Sequence, residues 1–385
     1  MDTKYSRTIP FLIIAWFVFL CSLHLAVQRP LWNDEQAVFL SVKAFSLQDM
    51  FSKDLIRLQV FPRVYLFCIQ QFSKWFHFSL WSLRLLPFVC MLTSFYLWVT
   101  YTKGAFKRPA SYWCFLLSWP ASMMMVYYAA ELKPYSMDVL AGICALWLLK
   151  KRSKWVFVYP LFGFFSYPAF LFALFFLYNF FVESFRDSSK WRQTALFLLT
   201  LTAVLGLSYH FDMQHRNLRG VSEGYHDYFI ATDSAGGFFQ TFGQGMKNLF
   251  VTWLVRDPLW VRNMCIFFMI LGFFRMIGGF AVCFKKEGYT FRSLETLPFG
   301  LLVGLIVLGM LKKYPFIVPR TVLFMCPIIL YLAVKGIEAF DKIHHNAYTV
   351  VLSVYAAYLI FLTVWFPSIL LSGERLFQPL FSKGI

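Results

Sequence analysis

Charged side chains are scarce in this chain. Asp, Glu, Lys and Arg make up 14% of its 385 residues, whereas a soluble domain of this length carries roughly a quarter. Hydrophobic residues make up 59% and occur in long, nearly uncharged blocks. Such blocks exclude a soluble globular protein and predict an all-α integral membrane protein. We expect residues 1–385 to form a single polytopic membrane domain without a separate soluble domain.

The sequence also lacks the motifs of disulfide, zinc and nucleotide sites. Its eight cysteines all fall in apolar stretches and form no CxxC pair, so we expect neither a disulfide framework nor a zinc site. The HxDxxH spacing of His210, Asp212 and His215 puts these side chains on no single helix face and predicts no metal site. A Gly-rich phosphate loop is absent, which argues against a nucleotide donor.

Acidic residues are few beside basic ones, 19 against 36, which gives a formal net charge of +17. The Lys and Arg residues lie in short clusters between apolar blocks. This pattern is typical of loops held at an anionic cytoplasmic leaflet. It indicates membrane lipids as partners and argues against nucleic acid.

A spanning helix needs about 20 apolar residues, and fewer when neighbouring helices shelter its ends. The first apolar block lacks a small-residue cleavage site, so we interpret it as a retained helix rather than a signal peptide. With eleven spans and a cytoplasmic N-terminus, every short inner connection is basic, as the positive-inside rule requires. The predicted spans are residues 9–27, 80–100, 111–129, 137–149, 155–166, 168–182, 193–209, 264–284, 294–311, 321–337 and 348–366.

This arrangement of spans also decides how two ambiguous apolar segments are interpreted. A crossing at Val60–Phe76 would move both basic clusters, 103–108 and 150–154, from the cytoplasmic side to the outer side, so we expect an interfacial helix there. Segment 155–182 is divided near Ser166 into two short helices, because a single crossing would invert all later loops.

Two long loops, 28–79 and 210–263, then lie on the outer face of the membrane. The short turns 130–136 and 312–320 lie on the same face. The predicted architecture is therefore about eleven transmembrane helices with interfacial helices in the first outer loop.

An acidic pair opens the first outer loop, where Asp34 and Glu35 follow Trp32 and Asn33. One interpretation is a helix start, with Asn33 as the N-cap and the carboxylates in the first turn, where they suit the helix dipole. The functional interpretation makes one carboxylate a general base at the membrane surface. The two interpretations are compatible, because a base in a first helical turn is held firmly.

A second cluster of ionisable residues lies in turn 130–136 and the start of the next span. It contains Glu131, Lys133, Tyr135 and Asp138. The ordinary interpretation is a helix start at Pro134, with Lys133 reaching towards the headgroups. Ionisable residues at such depth more often indicate function.

The turn 312–320 carries three cations, Lys312, Lys313 and Arg320. Positive charges on the outer face run against the positive-inside trend. An anionic ligand outside would explain them, although a short turn can also tolerate such charges.

The order of these features resembles the C-type glycosyltransferase superfamily. That superfamily includes protein O-mannosyltransferases, lipid A aminoarabinose transferases and the catalytic subunit of oligosaccharyltransferase. The likeness begins with an acidic pair directly after the first helix, here Asp34-Glu35. It continues with an amphipathic helix that starts near a proline, here Phe61-Pro62-Arg63, and with Arg84 at the opening of the next span.

The later features are similar as well. Turn 131–136 is similar to the second acidic turn of the bacterial subgroup that glycosylates lipopolysaccharide cores, and Tyr314…Arg320 is similar to a late Tyr…Arg turn. The likeness covers roughly residues 9–340. Two departures stand out: a His-Pro-Pro run is common where this chain has Phe61-Pro62-Arg63, and we expect no counterpart of the soluble C-terminal domain that many superfamily members have.

The resemblance implies a hexosyl- or pentosyltransferase that uses a polyprenyl-phosphate sugar donor and inverts the anomeric carbon. The acceptor would be a hydroxyl of a glycan, lipid or protein on the outer face of the cell inner or plasma membrane. The resemblance implies Asp34 as the general base, with Glu35 in reserve. Related enzymes differ in their need for a divalent ion, and we expect no metal and no other cofactor here. The residues expected to bind the substrates and the donor phosphate are Glu131, Lys133, Tyr135, Asp138 and Arg320.

The alternative is a non-enzymatic transporter or flippase of a lipid-linked glycan. It would explain the spans and the outer cations equally well, and Arg275 in mid-span favours it. A transport path predicts charges within the membrane, whereas the acids here lie at the outer ends of helices. A glycan polymerase that uses diphosphate-linked oligosaccharides is a third candidate.

The predicted topology is tested by reporter fusions. We expect a cytoplasmic N-terminus and an outer C-terminus, because the short inner connections are basic. Fusions after Lys151 and after Tyr225 should therefore report opposite sides of the membrane. Finding both reporters on one side would refute the register.

Overall fold

The computed structural model describes the chain in seven stretches, and within them the protein is α-helical without a β-strand. Regular helices are expected, because a segment in lipid must satisfy its backbone hydrogen bonds internally. The described residues are 5–151, 153–212, 214, 226–251, 253–254, 259–341 and 343–372.

The first half of the chain contains four short helices between its first two long ones. The α-helices are α1 (Tyr5–Ala26), α2 (Asn33–Ala44), α3 (Leu47–Ser52), α4 (Arg63–Lys74), α5 (Leu80–Thr102), α6 (Pro109–Ala121), α7 (Met123–Tyr128) and α8 (Tyr135–Lys151). A 3-10 turn at Ile56–Leu58 lies between α3 and α4.

The rest of the chain begins with a 3-10 helix, Lys154–Phe164. A second 3-10 helix, Pro319–Met325, contains Arg320. Shorter 3-10 turns lie at Ser188–Lys190 and His226–Tyr228. The α-helices are α9 (Pro168–Arg186), α10 (Trp191–Phe211), α11 (Ala235–Val251), α12 (Leu259–Lys286), α13 (Leu297–Met310), α14 (Cys326–Phe340) and α15 (His345–Ser372).

Within the described residues, seven helical segments are long and apolar enough to cross a membrane. The predicted count of eleven spans is therefore not confirmed, although a helix lies at each predicted position. The remaining predicted spans correspond to helices that are short or broken. The seven segments are Thr8–Ala26, Leu80–Thr102, Pro168–Arg186, Ser188–Phe211, Asn263–Lys286, Pro319–Phe340 and His345–Ser372.

Proline explains two of the breaks. The predicted span 111–129 is divided at Ser122 into α6 and α7, just after Pro120, which lacks a backbone N–H. The predicted span 155–166 is a 3-10 helix that contains Pro160. The predicted division of segment 155–182 is confirmed, because this 3-10 helix ends at Phe164 and α9 begins at Pro168.

The two predicted outer loops are largely helical. Loop 28–79 contains α2, α3 and α4, and α4 has 12 residues, too few to cross a bilayer as an α-helix. Loop 210–263 contains α11, a helix of 17 residues that the sequence did not predict. Its polar and apolar residues alternate with helical period, so it is amphipathic rather than uniformly apolar.

The segment Pro319–Phe340 forms the centre of the helix assembly. It is 89% buried inside the protein, against 22% for the corresponding window of α1. Helix α14 packs along α12 and also against α6 and α15. The outer helices therefore present their apolar surfaces to the surroundings, while Arg320 lies on the most buried of the seven segments.

Two glycines allow α12 and α14 to approach closely. A Cβ atom on Gly336 of α14 would lie 2.8 Å from the backbone oxygen of Leu271. A Cβ atom on Gly272 of α12 would lie 3.0 Å from the backbone nitrogen of Ala333. Small residues of this kind bring membrane helices into backbone contact.

Gly336→Ala should destabilise the protein by about 1–3 kcal/mol, because the new methyl group would push against backbone. Thermal unfolding in detergent measures the effect. The matched control is Gly278→Ala on α12, where a Cβ would meet nothing within 4 Å. The control should be neutral or slightly stabilising, since alanine favours a helix. Equal unfolding temperatures for the two variants would contradict this packing.

Candidate functional site

The three charged clusters identified in the sequence meet at one place. Asp34 lies in the first turn of α2, Lys133 in the turn between α7 and α8, and Arg320 in the 3-10 helix Pro319–Met325. Oδ2 of Asp34 lies 2.8 Å from Nζ of Lys133 and 3.1 Å from Nη1 of Arg320. One carboxylate thus contacts two cations that come from distant parts of the chain.

The start of α2 separates the two adjacent acids. Helix α2 begins at Asn33, and Trp32 occupies the N-cap position without a side-chain cap hydrogen bond, so the predicted cap at Asn33 was wrong by one residue. Both acids lie in the first turn, where the helix dipole favours carboxylates. Because consecutive helical residues point about 100° apart, Asp34 and Glu35 face different surroundings.

Glu35 is fully buried, and both of its oxygens are engaged. Its carboxylate lies 2.9 Å from Nη2 of Arg84 and 3.0 Å from Nη1 of Arg29. Oε1 also accepts hydrogen bonds from Nε of Arg84 at 3.2 Å and from the backbone N–H of Leu132 at 2.8 Å. Burial opposes ionisation of Glu35, but the two arginines outweigh it and hold the pKa of this carboxyl below its ordinary value. Glu35 is a positioning residue rather than an available base.

Asp34 differs from Glu35 in exposure. Its side chain is 28% exposed, whereas that of Glu35 is 0% exposed. Partial burial raises the free energy of the charged form, but Lys133 and Arg320 together lower the pKa of Asp34 below its ordinary value. The carboxylate is ionised at neutral pH and is open on one side to a ligand.

Lys133 is a buried cation in an aromatic setting. Its Nζ lies 4.6 Å from the ring centre of Trp32 and 5.7 Å from those of Phe61 and Tyr135. Such ring faces attract a cation. Burial, followed by repulsion from Arg320, lowers the pKa of Lys133 to about 8.

Trp32 contacts both cations. The guanidinium carbon of Arg320 lies 5.6 Å from the Trp32 ring centre, close to the 4.6 Å of the Lys133 ammonium. The indole N–H donates to Oε1 of Glu131 at 3.3 Å. Trp32 lies beside the acidic pair in the sequence, but no role for it was predicted. Its position two residues before Asp34 was the signal that could have indicated one.

Glu131 has one engaged oxygen and one without a partner. Oε1 lies 3.9 Å from Nζ of Lys133, while Oε2 has no hydrogen-bond partner in the part of the chain that the structure describes. Burial is the main reason why the pKa of Glu131 rises to about 7, and Lys133 opposes that rise. A buried oxygen without a partner is unfavourable unless a ligand or water satisfies it.

Tyr135 and Asp138 occupy the first turn of α8 but lie at different distances from the cations. The Tyr135 ring faces Lys133 at 5.7 Å and packs edge-on against Tyr128 at 5.1 Å. Asp138 is 5% exposed and, among the described residues, forms no ion pair with Lys133 or Arg320. The predicted site residue Asp138 therefore belongs to a neighbouring buried layer.

The turn 312–320 contributes only its last cation to the site. Hydrogen bonds fix the turn: the Tyr314 hydroxyl donates to the Thr321 carbonyl at 2.5 Å, and the Thr321 hydroxyl donates to Pro315 at 2.6 Å. Arg320 therefore points inwards, with its side chain 16% exposed. Lys312 and Lys313 are exposed and form no ion pair with the rest of the described chain.

The two described residues of the HxDxxH stretch, His210 and Asp212, have partners other than Asp34, Lys133 and Arg320. Asp212 pairs with Arg63 at 3.3 Å and accepts a hydrogen bond from Tyr167. His210 contacts Gln214 at 3.0 Å, and His215 is outside the described residues. In the described stretches, no three His, Cys, Asp or Glu side chains are grouped so as to hold a metal ion.

Comparisons with protein-family models, curated proteins and solved structures found no match for this chain. The seven apolar helices are compatible with a multi-pass membrane protein. Its distinguishing chemistry is the carboxylate of Asp34 in contact with Lys133 and Arg320.

Glu35→Gln should destabilise the protein by about 3–5 kcal/mol, because it leaves Arg84 and Arg29 buried without a counter-charge. Thermal unfolding in detergent measures the loss. Asp341→Asn is the comparison, since Asp341 pairs with Arg108 at 3.1 Å and the Arg108 side chain is 48% exposed. That surface pair should contribute at most about 1 kcal/mol. A Glu35→Gln protein as stable as Asp341→Asn would show that the buried cluster does not hold the site together.

Proposed function

We propose that this chain is a membrane glycosyltransferase that transfers a sugar from a polyprenyl-phosphate donor to an acceptor hydroxyl. The observation that carries the proposal is the contact of Asp34 with both Lys133 and Arg320. This reaction needs a base for the acceptor and cations for the departing phosphate. A carboxylate and two buried cations supply both needs in one place.

Asp34 takes the proton of the acceptor hydroxyl as that oxygen attacks the anomeric carbon. Attack from the face opposite the phosphate inverts the anomeric centre. Asp34 suits this role better than Glu35, because it is partly exposed and Glu35 is closed off by two arginines. A general base typically contributes about 10²–10⁴-fold in rate.

Lys133 and Arg320 bind the donor phosphate and stabilise its growing negative charge. Both cations are held away from bulk water, with side chains 1% and 16% exposed. Electrostatic stabilisation is stronger at such a place than in water. Arg320 can bind two phosphate oxygens at once, whereas Lys133 acts as a point charge.

Glu131 and Tyr135 orient the substrates, whereas Asp138, which forms no ion pair with Lys133 or Arg320 among the described residues, has no direct role in the proposal. Glu131 suits an acceptor or donor hydroxyl, since its Oε2 has no hydrogen-bond partner among the described residues. Tyr135 flanks Lys133 and limits where the phosphate can lie. No divalent ion is part of the proposal, because two protein cations already lie beside Asp34.

The site is proposed to face the outside of the cell inner or plasma membrane, with the N-terminus in the cytoplasm. Support comes from the three segments that build it. The sequence register assigns loop 28–79 and turns 130–136 and 312–320 to one face, and their side chains do meet. Segments on opposite faces of a bilayer could not make these contacts.

The rival function is transport of a lipid-linked glycan without chemistry. Arg275 was the residue that favoured it. Arg275 pairs with Glu295 at 2.5 Å, so its charge is compensated within the protein. The cations of the site lie instead beside a carboxylate at the ends of helices, which favours the transferase.

Asp34→Asn should remain folded and inserted while turnover falls by at least about 10²-fold, because the amide cannot accept the proton. The assay supplies a panel of polyprenyl-phosphate sugars to membranes that contain the protein, and mass spectrometry identifies the product. Asp54→Asn is the matched control, since Asp54 is exposed in the same outer loop and pairs with no cation in the described chain. Its turnover should be unchanged.

Two outcomes would contradict the proposal. Near-normal turnover in Asp34→Asn would remove Asp34 from the role of base. If the protein in liposomes moved a lipid-linked glycan across the membrane without transferring any sugar, the transporter would be favoured.

A further inference from the structure

Asp34 occupies the position that an anionic ligand of Lys133 and Arg320 would need. Its Oδ2 atom lies between the two cations, at 2.8 Å from one and 3.1 Å from the other. These are the separations expected for a charge-assisted hydrogen bond to a phosphate oxygen. The Asp34 carboxylate thus places an anion of the protein itself at the position proposed for the phosphate.

Lys133 has little room for a second anion. Its side chain is 1% exposed, and rings of Trp32, Phe61 and Tyr135 surround the ammonium group within 5.7 Å. A phosphate in contact with both cations would place its charged oxygens against the Asp34 carboxylate. Like charges at that distance disfavour one another, so one anion must leave.

We propose that Asp34 is an internal substitute for the donor phosphate, and that the donor displaces it from Lys133 and Arg320 before it can act as the base. This inference rests on the proposed function. It implies an order of binding. The lipid-linked donor binds first, and its phosphate displaces the Asp34 carboxylate from the two cations, so that the carboxylate can then act on the acceptor hydroxyl.

The exchange changes the chemistry of Asp34. A carboxylate bound to two cations is a weak base, because both cations lower its pKa. Once the phosphate has taken the cations, the carboxylate loses their stabilisation and gains an anionic neighbour. Both changes raise its proton affinity at the moment when the acceptor needs a base.

The groups in the transfer step balance. The acceptor oxygen forms a bond to the anomeric carbon, and its proton passes to the Asp34 carboxylate. The bond from that carbon to the phosphate oxygen breaks, and its electron pair stays on the phosphate. Polyprenyl phosphate leaves as a monoester with one more negative charge, and Asp34 releases its proton to water as it returns to Lys133 and Arg320.

Other groups keep the cations in place during the exchange. Glu131 stays 3.9 Å from Nζ of Lys133, and the Trp32 ring faces both cations at 4.6 and 5.6 Å. The cations therefore do not depend on Asp34 for their positions. Only the carboxylate of Asp34, which is 28% exposed, has to move.

The test measures binding of farnesyl phosphate, a short soluble polyprenyl phosphate, to the full chain in detergent at pH 7. Wild type, Asp34→Asn and Asp54→Asn are compared by calorimetry. Because the internal anion is removed, Asp34→Asn should bind about tenfold more tightly, as expected when a competing state is abolished. Asp54→Asn removes the same charge from an exposed position and should bind like wild type. Asp34→Ala gives the same comparison should the Asn variant not fold.

The outcomes separate this inference from the proposed function. Equal or weaker binding by a folded Asp34 variant would overturn the exchange, while its loss of turnover would still support Asp34 as the base. Tighter binding with normal turnover would support the exchange and would exclude Asp34 as the general base. No binding by any of the proteins would overturn the phosphate site and the exchange together.

Discussion

The buried ion pair between Glu35 and Arg84 is the contact on which the site depends. It joins the start of α2 to α5, and the backbone N–H of Leu132 adds the turn between α7 and α8. Asp34 precedes Glu35 in the chain, and Lys133 follows Leu132. Fixing Glu35 and Leu132 against each other therefore fixes Asp34 and Lys133 as neighbours, and a loss of this buried pair would disturb the site without touching its reactive atoms.

The adjacent acids show how one helical turn gives two identical charges different tasks. Glu35 faces inwards, where two arginines and a backbone N–H satisfy it completely. Asp34 faces the cations of the site and keeps part of its surface open. A fully satisfied carboxylate holds structure together, whereas a carboxylate held on one side only can exchange partners. The proposed chemistry needs the second kind.

Many of the charged side chains that the structure describes inside this protein form ion pairs. Arg275, which in the sequence looked like an isolated intramembrane cation, pairs with Glu295, and Arg63 pairs with Asp212. Oε2 of Glu131 is one of several buried polar atoms without a hydrogen-bond partner within the described residues, and it lies at the site itself. Its place next to Lys133 and Trp32 is consistent with a site that is completed by a ligand.

Hydropathy along the chain determined the helical class and the approximate positions of the seven described segments that are long and apolar enough to cross a membrane, because a long apolar block has few alternatives to a membrane helix. The sequence also singled out Asp34, Lys133 and Arg320, because isolated charges beside apolar blocks are conspicuous. It did not determine how many segments are long enough to cross, since proline breaks and 3-10 turns depend on shelter from neighbouring helices. Only the tertiary structure decided that the three charges meet and that Asp34 rather than Glu35 faces the cations. Those outcomes depend on contacts between residues far apart in the chain and on the rotation of α2 about its axis, which local composition does not encode.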